Sequence, residues 1–233
     1  MDLLTLVGQV TKKRGDYFSQ AENLARKAKT QAKLESLMTN QSKVLVKALR
    51  DREIRWEEYS RTLIDKTLSA ALAAVYLGAG QASPGKKVEK AWPTVTGQIL
   101  PPLVDFLNQT EIALSKGSLM LGDNRANFSE VDMDSLDYEE KEIAEPVMSW
   151  LGLASRVVRY LANPSYSFFN LGDYYVRQEQ GYKEMRRVPV FDRRTCPDCI
   201  DFGRRGWQPL GSLPMPGQEC RCYDRCRCSL EYR

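Results

Sequence analysis

Histidine is absent from this chain of 233 residues, and its absence excludes a wide range of chemistry. No Ser-His-Asp or Cys-His hydrolase, His-Glu-x-x-His zinc protease or nuclease resting on a histidine base can be assembled. No other base is placed to activate a cysteine nucleophile, so the chain is not expected to be an enzyme. Cysteine is missing from the first 195 positions and proline from everything before Pro84. The apolar run Leu68 to Leu77 (LSAALAAVYL) is too short to span a bilayer. The opening MDLLTLVGQVTKKRG carries Asp2 and lacks a small-residue cleavage site, so it does not read as a secretory signal. The expectation is a soluble protein made in the cytoplasm, with no membrane partner, where clustered thiols favour metal over disulfides. Neither charge sign dominates: the formal net charge is +4, too small to demand nucleic acid or an anionic surface.

What is present is mostly helical pattern. From about Asp16 to about Leu77 the proline-free stretch reads as a long helix or a helical hairpin. Leu24, Ala28, Leu34, Leu37, Met38, Leu45 and Leu49 recur mostly at three- and four-residue steps, and Trp56, Leu63, Leu68, Leu72 and Val75 continue the stripe. The stripe is narrow, which suits a helix lying on a partner. Gly78, Gly80, Pro84 and Gly85 end it. Val88 to Leu121 reads as helix interrupted at Pro93, Pro101 and Pro102, followed by a loop around Gly122-Asp123-Asn124. An acidic run from Glu130 to Glu142 enters an apolar helix from about Ile143 to Leu161, which Asn163-Pro164 stops. Tyr166, Phe168, Phe169, Tyr174, Tyr175 and Tyr182 then form an aromatic cluster suited to core or subunit interface, and Trp56, Trp92 and Trp150 read as packing residues. Strand periodicity appears only at Val188 to Phe191 and Cys226 to Tyr232. The predicted fold class is therefore mainly α. Residues 1–80 form a long helical segment, 88–185 a helical body, and 186–233 a small β-rich, zinc-ribbon-like module.

That last segment holds all six cysteines: Cys196, Cys199, Cys220, Cys222, Cys226 and Cys228. A Cys-x-x-Cys pair on a tight turn aims two sulfurs at one point about 2.3 Å from a shared Zn²⁺, and a second turn supplies two more. Pro197 and Asp198 suit such a turn. Cys196, Cys199, Cys222 and Cys226 are the expected ligands, with Cys228 the substitute for Cys226 and Cys220 the spare. Six thiols are more than one tetrahedral site needs and too few for two ordinary all-cysteine sites. The alternative is a pair of disulfides, or simply reduced cysteines.

Other motifs carry less. Gly80-Gln-Ala-Ser-Pro-Gly85-Lys86-Lys87 nearly spells a phosphate-binding loop, but Lys87 replaces the metal-holding hydroxyl and a helix precedes it where a strand is required; it reads as an interhelical linker. The acidic run lacks the order of a calcium loop and suits the entry of a helix. Lys183, Arg186, Arg187, Arg193, Arg194, Arg204, Arg205, Arg221, Arg225 and Arg227, with Trp207 and Tyr223, could contact DNA by phosphate pairing and base stacking. Asp192, Asp198, Asp201 and Asp224 dilute that patch.

Read in order, the tail carries a family resemblance. Asp192-Arg-Arg-Thr-Cys196-Pro-Asp-Cys199 is followed by Gly206-Trp207-Gln-Pro-Leu-Gly211-Ser-Leu-Pro214-Met-Pro-Gly217. It closes on Cys222-x-x-x-Cys226-Arg-Cys228. This sequence resembles the C-terminal segment of the minor head, or head-morphogenesis, proteins of tailed bacteriophages, over roughly the last fifty residues. Arg225 stands where the family usually has Asn, and a His-Pro that relatives often carry before the last cysteine pair is absent, which leaves the ligand set open. The resemblance implies a virion protein at the portal vertex or neck, present in several copies or a ring. Its partners would be portal, neck or capsid proteins and its role head assembly or head-tail joining, with structural Zn²⁺ as the cofactor. The alternative is a zinc-ribbon DNA-binding protein acting in packaging or regulation.

Overall fold

The computed structural model describes residues 3–81, 83–115, 150–161, 164–193, 195–222 and 226–233. The acidic run and the Gly122 loop lie outside them. The described residues are mainly helical, with a three-stranded antiparallel sheet near the C-terminus.

The stretch from Asp16 to Leu77, read as one helix or a hairpin, is helical and divided among three helices, with a further helix before it. Helices α1 (Leu3–Lys12) and α2 (Arg14–Ala28) come first. Lys29, in the left-handed region at φ 63°, closes α2 by donating its N–H to the Ala25 carbonyl at 2.8 Å. Thr30 then caps α3 (Gln31–Arg50), its hydroxyl accepting the Lys33 N–H at 3.2 Å. A second reversal around Arg52 (φ 60°) leads into α4 (Trp56–Ala79), whose first turn carries Glu57 and Glu58 at the positive end of its dipole.

This folding back changes what covers the apolar stripe. Ala21, Ala25, Ala28, Leu34, Met38, Leu45 and Leu49 are all buried within the chain's own core. The narrow stripe therefore finds its partner in α4 and later helices, and an external partner is not needed to cover it. Helix α4 is the centre of this arrangement. It is long and apolar enough to cross a membrane by length and composition, yet 67% of its apolar window is buried inside the fold, as suits a core helix.

Helix α5 (Pro84–Ser115) runs through Pro93, Pro101 and Pro102 without the expected interruptions. All three prolines are exposed, while Val88, Ala91, Trp92, Val95, Ile99, Leu100 and Leu103 bury the opposite face. Proline cannot donate to the carbonyl four residues earlier. For Pro93 that carbonyl is Glu89's, and Arg14 donates to it instead at 3.4 Å. The segment read as a linker from Gly80 to Lys87 is shorter than expected, because α5 begins at Pro84 and takes in Gly85, Lys86 and Lys87. Lys87 lies within α5, 1% exposed, with its ammonium paired to Glu179, which removes it from any phosphate-binding role.

Helix α6 (Trp150–Leu161) packs on α3 and α4. The aromatic segment, not read as an element, forms α7 (Pro164–Glu179), with Phe168 and Tyr175 in the core. Helices α4 and α7 cross at two glycines. A Cβ at Gly78 would lie 1.9 Å from the Phe169 carbonyl oxygen, and one at Gly172 2.2 Å from that of Val75. Only hydrogen at both positions allows the backbones to approach this closely.

Beyond α7, β1 (Glu184–Val188) is the central strand, pairing antiparallel with β2 (Gln208–Pro209) on one side and β3 (Ser229–Tyr232) on the other. Helix α8 (Pro197–Arg204) follows β1, with Pro197 in its first turn. These short elements enclose a second core of Met185, Phe202, Leu213, Met215, Cys199, Cys220, Cys226 and Cys228.

Candidate metal centre

Several residues of the segment from Asp192 to Arg227 hold the module together. Thr195 closes a turn with Asp192: its N–H donates to the Asp192 carbonyl at 3.0 Å, and its hydroxyl lies 3.1 Å from the Asp192 N–H and 3.2 Å from its carboxylate. Asp192 also takes two hydrogen bonds of 2.6 Å from the Arg227 guanidinium, tying the first cysteine turn to the last. Trp207 lies between the guanidiniums of Arg186 and Arg233, at 4.8 and 4.6 Å from its ring centre. Gly211, at φ 87°, sits where a Cβ would lie 2.8 Å from the Tyr174 hydroxyl. Leu213 and Met215 are buried, and Gly217 turns the chain at φ 90° toward Cys220.

The sulfurs converge. Those of Cys199, Cys220, Cys222 and Cys226 lie within 4.8 Å of one another and could hold a metal ion. Cys199 and Cys222 are 3.4 Å apart, Cys199 and Cys226 3.8 Å, and Cys220 and Cys222 3.4 Å. A tetrahedral ion with sulfur at about 2.3 Å sets its ligand sulfurs about 3.8 Å apart, so the spacing fits a thiolate metal centre. Cys196 and Cys228 adjoin this group, lining a small cavity together with Cys199 and Cys222. Cys220, the expected spare, thus belongs to the tightest set, while Cys196 stands at its edge. The reason is local. Cys220 and Cys222 lie on a folded loop, where side chains need not alternate as on a strand, and the Arg221 N–H anchors that loop to the Asp198 carboxylate at 2.8 Å. Cys226 and Cys228 likewise precede β3 and are not part of a strand.

Arg187 is the functional residue that the sequence reading placed elsewhere. Its sequence context groups it with the cations that could contact DNA, yet it is 1% exposed. Its Nη2 donates to the sulfurs of Cys220 and Cys226, each at 3.1 Å, and lies 3.7 Å from that of Cys199. Burial opposes its charge, but the Cys226 and Cys220 sulfurs outweigh that and hold it firmly protonated. Among the described residues its Nε and Nη1 have no hydrogen-bond partner. A buried guanidinium is costly without a compensating anion, so its position argues that the sulfurs around it are thiolates. The alternation of β1 was the available signal: Met185 and Arg187 face inward, and Glu184, Arg186 and Val188 less so.

The thiols also affect one another. Hydrogen bonds from Cys220 and then Cys228 pull Cys226 well below the ordinary thiol range, against the effect of its burial. Cys220 and Cys228 are pushed up, first by their bonds to Cys226 and then by burial. Burial, then the Cys199 side chain, raises Cys222. Burial opposes ionisation of Cys196, but bonds from the Cys199 amide and side chain and from Cys222 leave it lowered. Six thiols this close cannot all ionise without cations among them, and a metal ion held by the sulfurs would supply that charge.

The remaining cations are largely matched by acids. Arg186 pairs with Glu231, Arg204 with Asp201, Arg221 with Asp198 and Arg233 with Glu184. Arg205 lies over the Phe202 ring. Arg194, Tyr223, Asp224 and Arg225 lie outside the described residues. No protein-family model, curated protein or solved structure matches the chain.

Proposed function

We propose that this chain is a structural protein of a tailed-phage particle, associated with the portal or head-tail connector and acting in head assembly or head-tail joining. Residues 186–233 would be a docking module stapled by Zn²⁺. The observation that carries the reading is the ordered motif from Asp192 to Cys228, whose described members are spent on building one small module. Asp192 and Thr195 set the first cysteine turn, Gly211 and Gly217 its connecting loop, and Arg227 ties the ends together.

Zinc suits an all-sulfur, buried set with no histidine, because thiolates select soft or borderline ions and Zn²⁺ accepts tetrahedral sulfur without redox chemistry. When bound, the metal would supply cross-linking and folding free energy. The strands are only five, two and four residues long, too little to stabilise a module by themselves. The chain's own residues position the sulfurs and, through Arg187, offset their charge.

Mass spectrometry of purified particles should find the protein, and deleting its coding sequence should leave heads that lack tails or stay empty. Full infectious particles from the deletion would overturn the virion reading, and iron in place of zinc in the purified chain would overturn the zinc assignment. The ion pairs around the module weigh against DNA binding. That alternative predicts measurable affinity for duplex DNA, falling steeply with salt.

A further inference from the structure

We infer that the six cysteines hold two metal ions in a binuclear cluster, with Cys199 and Cys222 as bridging thiolates. This rests on reading the site as a thiolate metal centre and extends it in number and connectivity. Two tetrahedral ions need eight metal–sulfur bonds. Six thiolates supply eight when two of them bond to both ions, which makes every cysteine in the chain a ligand and leaves both ions coordinated by sulfur alone.

The geometry divides the sulfurs in the corresponding way. Cys199, Cys220, Cys222 and Cys226 form the inner group, all within 4.8 Å of one another. Cys196, Cys199, Cys222 and Cys228 line a cavity of about 10 Å³ together with Val190, Thr195 and Arg227, about the room that one small bound species takes; the Arg227 guanidinium is held by the Asp192 carboxylate. Cys199 and Cys222 belong to both groups, and their sulfurs are 3.4 Å apart, close enough to form the common edge of two tetrahedra.

Charge supports the same count. Two divalent ions and six thiolates sum to −2, and Arg187, with Nη2 against Cys220 and Cys226, offsets half of it inside the module. One ion in the inner group would leave Cys196 and Cys228 beside it as thiols without a metal.

The test is native mass spectrometry and elemental analysis of the full chain, purified under reducing conditions with zinc supplied. Two zinc ions per chain are expected, with a zinc–zinc scattering shell in X-ray absorption. Cys228→Ser should drop the content from two to one while helical circular dichroism stays unchanged. One zinc per wild-type chain and no metal–metal shell overturns the binuclear cluster but keeps the metal centre. A folded chain with no bound metal overturns both.

Discussion

The helical body and the cysteine module reach compactness by opposite means. In the body, α4 is buried through Leu63, Ile64, Leu68, Leu72 and Val75, and through Ala70, Ala71, Ala73 and Ala74, whose small side chains let neighbouring helices approach. Its buried polar groups are few, and several close local bonds, as the Thr67 hydroxyl does to the Leu63 carbonyl at 2.7 Å. The module instead surrounds sulfur and a guanidinium with three short strands and one short helix. A core of Leu, Val and Ala gains stability by leaving water. A core of Cys199, Cys220, Cys226, Cys228 and Arg187 gains it only when charges are matched. The first is specified by periodicity spread over many residues, the second by a few groups that must all be in place.

The strongest way to break this comparison is to strip the cysteine module of the metal proposed for it. Chelation under reducing conditions should unfold residues after about Val188, at a cost on the order of 10 kcal/mol to the module. The helical circular dichroism signal should be nearly unchanged. Collapse of the helical signal as well would show that the two regions form one cooperative unit. Next, Gly172→Val attacks the body where α4 and α7 cross. The new side chain must displace the Val75 backbone, at an expected cost of about 3 kcal/mol or more. Thermal unfolding should shift far downward while metal content is retained. At the seam between the regions, Tyr166→Phe removes the hydroxyl that donates to the Cys228 carbonyl at 2.7 Å, an expected loss of about 1 kcal/mol. Hydrogen exchange around Cys228 should rise with little change in α4. The smallest effect is expected for Thr30→Ala, which deletes the cap of α3 at about 0.5–1 kcal/mol and should leave the module untouched.

How legible each region was follows from the same contrast. The stripe from Leu24 to Val75 announced helices because burial on one face leaves a period in the sequence. It did not announce where the chain turns back, since Lys29 and Arg52 adopt left-handed backbone without the glycine that usually marks it. The prolines of α5 misled because their effect depends on which face they occupy and on Arg14, far away in sequence. Helix α7 went unread because its aromatic residues serve both the body and the module, so no single stripe forms. The cysteine spacing pointed to a metal centre directly. The grouping of the sulfurs was not legible, because a folded loop brings Cys220 inward. The role of Arg187 was hidden because a buried and an exposed arginine look alike in sequence.

Helix α7 is shared by both regions, and this has a mechanical consequence. At one end Tyr166 and Ser167 hold the Cys228 and Pro216 carbonyls of the module. Along its length Gly172 seats against the backbone of α4. A pull applied to the module is therefore carried along one rigid rod to the most deeply buried helix of the body, bypassing the surface loops. Tyr174, on the same helix, packs against the module's core as well, so α7 carries load at several points along its length.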